Sequence, residues 1–219
     1  MKFEYNQEYH EKKFGKWIKD KNLYELRCLY AKKKYFKDLI IENKRIFEFG
    51  CGIGQNIAWH NNSYGYELNK KLYPFLKEKG IKMFDDLNEI PDDYFDIIIT
   101  CMVLEHLENP KKTLTFLKDK LKDDGYLITV LPMFSYNKRK EGINETTDGH
   151  LFAWTFYEIN YLLNFCGFTN ILNKKIYRKG IERLKFLPQS LYFFFLSFFG
   201  RLFNTFDIII ISKKRSKIK

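Results

Sequence analysis

The sequence predicts an α/β protein built on a mostly parallel, doubly wound sheet. Three observations predict it. Short apolar runs alternate with helix-like stretches along most of the 219 residues, the order of a sheet whose strands are joined by crossover helices. One run, YFDIIIT at 94–100, is apolar and β-branched, as a strand covered on both faces must be. Three glycines, Gly50, Gly52 and Gly54, occupy alternate positions behind an acid, Glu48, between a strand-like and a helix-like segment. Strand, glycine loop and helix bring a ligand against bare backbone, because glycine admits positive φ and leaves no Cβ in the way.

The elements follow in order. Apolar residues from Leu23 to Ile40 recur near helical spacing with lysines between them, so 23–41 is expected to be a helix. A shorter helix over 10–19 precedes it, and 1–43 together form a helical cap. Residues 44–49 read as the first strand, and 55–59 as the start of a helix. The second strand, 62–69, ends in Glu67; the third is 80–86 and the fourth 94–100. After CMVLEHLENP, a helix over 111–122 closes at Asp124-Gly125, and 126–132 is the fifth strand. Residues 133–150 form a polar stretch of the length expected for a functional or disordered loop. Thr155 caps a helix that runs to Cys166 and stops at Gly167. Strands at 168–177 and 206–214 bring the number to seven, and 178–205 between them is an insertion centred on LYFFFLSFFG. No repeat or low-complexity linker divides the chain, so one domain is expected over 1–219.

Composition narrows the class. Apolar residues make up 45% and charged residues 30%, as in soluble globular proteins. The four cysteines are scattered without C-x-x-C pairs, which argues against a disulfide framework and a zinc site; no metal is expected. The polar start shows no secretory signal, and with the cysteine usage this points to the cytoplasm. A net charge of +11 invites a nucleic-acid partner, but its distribution does not support one. Residues 1–45 carry +6 and 213–219 carry +5, while 46–212 hold 20 basic and 20 acidic side chains.

The loop is not a dinucleotide fingerprint, since Gln55 stands where G-x-G-x-x-G needs its last glycine or alanine. The G-x-G-x-G behind an acid is followed by an acid after the second strand, an aspartate after the third, then FDIIIT, EHLENP, DDGYLI and a helix ending in CGF. That succession, over about 45–212, resembles the class I S-adenosylmethionine (SAM) dependent methyltransferases, in the branch acting on small molecules and glycans. Asp124-Gly125 departs from the paired glycine usual there. The resemblance implies a Rossmann-like seven-stranded sheet with an antiparallel last strand, and SAM as cofactor. It gives Glu48 the role of holding the loop and, often through water, the SAM amino group. Gly50, Gly52 and Gly54 would lie under the methionine and ribose. Glu67, with Leu68 beside it, would accept bonds from both ribose hydroxyls, for which two carboxylate oxygens are suited. Asp85 or Asp86, with Asp85 favoured, would sit by the adenine amino group. Residues 101–104 would line the methionine side, with Cys51 and Cys101 as small packing residues.

Methyl transfer to an alcohol also needs a proton removed, and histidine is the natural base near neutral pH. His10 and His60 have no supporting context. His106 follows the fourth strand and His150 ends the long loop, so either can serve, with Glu105 or Asp148 to orient it. The third outcome is no protein base. The aromatic insertion is too short to span a bilayer, which takes about 20 residues. It is expected either as a lid over the acceptor or as an interfacial helix assisted by the KKRSKIK tail, a peripheral contact at the inner membrane face. The expected function is SAM-dependent methyl transfer to a hydroxyl of a small-molecule or glycan acceptor, lipid-linked ones included. The alternatives are RNA methylation, for which no RNA-binding module or N/D-P-P-Y/F motif is present, and a non-catalytic SAM-binding scaffold. No oligomeric state is read from the sequence.

Overall fold

A computed structural model describes residues 14–132, 149–180 and 182–215. Two helices open the chain, α1 (14–19) and α2 (Lys21–Tyr35), the second capped by the Asp20 carboxylate. The expected helix over 10–19 is thus seen for 14–19, its start lying outside the described residues. Then come β1 (Ile46–Phe49), β2 (Ser63–Tyr66), α3 (Tyr73–Glu78), β3 (Lys82–Met83), β4 (Phe95–Cys101), α4 (Pro110–Lys120) and β5 (Leu121–Pro132). The expected loop over 133–150 lies outside the described residues up to 148; beyond it follow α5 (Phe156–Phe165), β6 (Phe168–Tyr177), α6 (Gln189–Leu202) and β7 (Phe206–Lys214).

The seven strands form one sheet in the order β3-β2-β1-β4-β5-β7-β6. β1 to β5 pair in parallel, and β7 slots antiparallel between β5 and β6. The last strand is antiparallel, as expected. The order reverses between β1 and β4, and ligands of such sheets sit at that crevice, beyond the strand carboxyl ends. Alternation along the strands builds two cores. Ile46, Ile97 and Ile99 pack with α2 and α6 on one face. Phe47, Phe95 and Ile98 pack with α4 and α5 on the other.

Several boundaries differ from expectation: β1, β2 and β3 are shorter than 44–49, 62–69 and 80–86, and β5 starts at Leu121, not 126. Helix α2 stops at Tyr35, not near 41. Residues 55–59 form turns and no α-helix, because side chains take the carbonyls a helix would use. Trp59 Nε1 donates to the Asn56 carbonyl at 2.6 Å, and Ser63 Oγ lies 2.7 Å from the carbonyls of both Ile57 and His60. Helix α4 ends at Lys120, since Leu121 already pairs with Phe95 in the sheet. Asp124, at φ 66°, takes the left-handed turn; Gly125 is needed for space, a Cβ there lying 2.9 Å from the Lys122 carbonyl.

Candidate active site

The carboxyl end of β1 delivers the chain into the glycine loop. Gly54 cannot carry a side chain: its φ is +73°, and a Cβ would fall 2.2 Å from Ile81 Cδ1 and 2.9 Å from Leu76 Cδ2. Gly50, at φ +72°, is pressed from the other side by Val103, whose Cγ2 would be 2.7 Å from an added Cβ. The loop is therefore clamped between β4's exit and the α3–β3 connection. Several of its donors are spent internally. Gly50 and Cys51 N–H donate to the Tyr66 carbonyl at 2.9 and 3.1 Å, and Gly52 N–H donates to Glu67 Oε2 at 2.8 Å. A loop built this way offers a flat surface rather than an anion cradle, which suits a ligand without phosphate.

Two buried acids frame the loop. Glu67 follows β2; its other oxygen, Oε1, accepts from Asn69 N–H at 2.9 Å. A carboxylate oxygen has two lone pairs, so a carboxylate suits a vicinal diol. Glu48 is sealed within β1, its Oε1 accepting from Asn56 Nδ2 at 2.5 Å while Oε2 is buried without a hydrogen bond. Burial pushes its pKa well above the usual carboxylate range, and Glu67 adds to the effect. Such an atom fits a donor arriving from a ligand, and with the flat loop and Glu67 it makes a set that fits SAM.

The remaining expected cofactor residues separate by environment. Asp86 caps the 3-10 turn Leu87–Glu89, its Oδ1 accepting from Asn88 N–H at 2.7 Å. The Asp85 carboxylate makes no hydrogen bond among the described residues, which leaves it the acid of the pair available to a ligand. Leu68 stands exposed at 68%, beside Glu67. Cys51 packs under Gly65, and burial raises the thiols of Cys51 and Cys101 well above their ordinary pKa. Both are packing groups, with little thiolate to react.

The two histidines proposed as alternatives meet in one cluster. Their rings are 4.5 Å apart and edge-on. His106 Nε2 lies 3.8 Å from Glu105 Oε1, and Nδ1 lies 3.3 Å from the Gly149 carbonyl. Leu151 and Phe152 N–H donate to the Glu105 carbonyl at 2.7 and 3.1 Å, which ties the end of the long loop to the turn after β4. Asp148, the other orienter considered, lies outside the described residues. Ligand atoms of Glu105, His106 and His150 all fall within 4.8 Å of one another, a set that could hold a metal ion. The expectation of no metal rested on cysteine spacing alone and did not consider these three together.

Sequence reasoning missed a further wall. A cavity beside the loop is bounded by Arg27 and Tyr30 of α2, Gln55 and Asn56, Arg178 after β6, and Tyr192 of α6. Arg178 is held through Nε by Asp207, which sits opposite Pro132 and Ile176 at the sheet's carboxyl edge. One signal was present: Arg27 interrupts the apolar stripe of Leu23, Leu26 and Tyr30.

A family model for the methyltransferase domain matches residues 21–171. An uncharacterized protein of Methanocaldococcus jannaschii is 25% identical over 180 residues, covering 78% of this chain and 84% of that protein. Among solved structures, a chain from the complex between the Haloferax volcanii Trm112 methyltransferase activator and a methyltransferase aligns with TM-score 0.65. Its identity is 12%, over 95% of this chain and 97% of that one. A SAM-dependent methyltransferase of Archaeoglobus fulgidus aligns with TM-score 0.61 at 20% identity, over 96% of this chain and all of that one (100%).

Proposed function

Because the chain belongs to the methyltransferase-domain family and works with SAM, we propose that it methylates a hydroxyl of a small-molecule or glycan acceptor. One observation carries the site assignment: Glu67 reaches across from β2 to Gly52 N–H at 2.8 Å, which sets a carboxylate on the rim of the glycine loop. Glu67 would then accept from the ribose hydroxyls, Glu48 Oε2 from the amino group, directly or through water, and Asp85 from the adenine amine. SAM supplies a methyl group already activated on a sulfonium sulfur, so the protein's task is alignment and removal of one proton. Val103 presses on Gly50 and His106 follows three residues later, which supports reading the histidine pair on the methyl donor's side of the loop. In this reading one of the pair takes the hydroxyl proton, and Glu105 stabilises the charge that results.

Helix α6 covers the acceptor. It packs on α2 through Phe193 and Tyr30, rings 5.7 Å apart, and contributes Tyr192 to the cavity wall. The 1–219 unit is read as a single domain, with the cap and insertion sharing one face of the sheet. No helix among the described residues is long and apolar enough to cross a membrane. The test is transfer of labelled methyl from SAM to metabolite and glycan fractions of the source cell. Label in a hydroxylated compound supports the reading; label in RNA alone overturns it.

A further inference from the structure

Helix α6 has an outer face that the fold leaves uncovered. Tyr192, Phe193 and Leu196 are buried, while Phe194, Phe198 and Leu202 stand 59%, 49% and 64% exposed. The outer rings are ordered: Phe194 stacks on Phe198 with centroids 6.0 Å apart, and Phe195 on Phe199 at 6.1 Å. A contiguous apolar face of this kind marks an interaction site, and its surroundings tell which kind. No acid occurs between Glu182 and Asp207. Cations border the helix at both ends. Lys33 Nζ donates to Gln189 Oε1 at 3.3 Å, on the first residue of α6. Lys179 Nζ sits 3.2 Å from the centre of the Phe203 ring, just past the last residue, and Arg201 belongs to the helix itself. Lys34, Lys37 and Lys174 extend the patch. Burial lowers the Lys34 pKa, and the charges of Lys37, Lys174, Arg201 and Lys33 lower it further. Asp38 pairs with Lys37 and Lys174. Among the described residues no other acid forms an ion pair with these six cations.

We propose that this face of α6 docks into the interface of an anionic lipid bilayer, its Phe and Leu side chains among the acyl chains and the cations against the headgroup phosphates. An apolar face bordered by Lys and Arg is the pattern of helices that lie in that interface, and the negative headgroups complement the patch. A protein partner fits less well. Protein interfaces carry about one hydrogen bond per 100–200 Å², and Phe and Leu side chains offer none; hydrocarbon asks for none. The 14 residues of α6 make about 21 Å of helix, short of the ~30 Å hydrocarbon core, so it lies in the plane. The charge comes from the neighbours of α6 in the fold. At the far end of β7, Lys213 and Lys214 pair instead with Asp124 and Asp93. The inference goes beyond the methyl-transfer reading and does not depend on it. It also positions the site. From its inner side α6 gives Tyr192 to the cavity beside the glycine loop, so cavity and bilayer lie one helix diameter apart, about 10 Å.

The experiment measures co-sedimentation of the full chain with vesicles of phosphatidylcholine alone and of phosphatidylcholine with an equal part of phosphatidylglycerol. Binding at least about tenfold tighter to the anionic vesicles is expected, weakening as salt is raised. Phe194→Ser with Phe198→Ser, both at exposed positions, is expected to weaken it at least about tenfold with the melting temperature kept. Lys33→Gln with Arg201→Gln, which leaves the apolar face intact, is expected to remove most of the anionic preference. Lys217→Ser with Lys219→Ser is expected to leave binding within about twofold. No preference for anionic vesicles overturns the proposal, as does one that survives the first two double variants or is lost only with the third. A dimer in solution that Phe198→Ser dissociates, in a chain that ignores vesicles, overturns it in favour of a second copy. SAM affinity of the α6 variants is expected to stay within about twofold, so a failure of the methyl-transfer reading shows separately.

Discussion

Glu48 shows how one buried residue ties stability to ligand. Its folded pKa is raised, so the unfolded chain ionises first as pH climbs above about 4.3, and stability is lost from there toward the folded value. An ammonium at Oε2 favours the ionised form, so SAM binding should release a proton and strengthen with pH over the same window. Glu48→Gln is expected to make the ligand-free chain more stable at pH 8 and to flatten the pH dependence of SAM affinity. Denaturation scans from pH 5 to 8, with and without SAM, read both; an unchanged slope contradicts the role. The histidines give a second residue-scale prediction. His106→Ala and His150→Ala should each lower turnover about 10²-fold with SAM affinity intact. Because the rings are 4.5 Å apart, the double variant should lose little more than either single one. Turnover should survive EDTA; loss restored by zinc would make the trio a metal site instead. Glycines and acids at fixed offsets made Glu48, Gly50, Gly52, Gly54 and Glu67 legible in the sequence. Asn56, Arg178 and Asp207 were not, since their partners lie 8 and 29 residues away and no local pattern announces them.

At the scale of elements, strands buried on both faces were read well because their apolar runs are unmixed. The turn at 55–59 was not, because side-chain bonds from Trp59 and Ser63 override a propensity that would favour a helix. Helix α6 was legible as a helix but not in its seating. Gly200 lets it press against the end of β6: an added Cβ would lie 2.4 Å from Arg178 N and 2.7 Å from Tyr177 C, both backbone. Gly200→Ala ought to help an isolated helix by about 1 kcal/mol. Here it should lower the melting temperature by at least about 3 °C and weaken acceptor binding, because backbone cannot yield as a side chain can. A rise in melting temperature contradicts this packing. Across from its buried face α6 exposes Leu191, Phe194, Phe198 and Leu202. Of the basic tail expected to assist this stripe, 213–215 are described and 216–219 lie outside the described residues. Lys213 and Lys214 stand at the end of β7, some 26 Å from its start at about 3.3 Å per residue. There they pair with Asp124 at 2.7 Å and Asp93 at 2.5 Å.

For the whole molecule, the topology concentrates function at one edge. β1 and β4 part at the switch point, and the glycine loop, Glu67, the histidine pair and the Arg27 cavity all gather beyond strand carboxyl ends. Sequence order predicted that edge, because alternation of strands and helices leaves few topologies to choose from. It could not predict which face the cap and insertion share, since that depends on contacts between residues far apart in the chain, such as Tyr30 with Phe193. Calorimetric titration of SAM into the native chain and into Glu67→Ala tests the central claim most directly, with NAD as control. The account predicts one SAM per chain, no tight NAD binding, and at least about tenfold weaker SAM binding in the variant, since bonds to a charged acceptor contribute ~1.5–3 kcal/mol each. Absence of SAM binding, unchanged affinity in Glu67→Ala, or tight NAD binding by the native chain would contradict it.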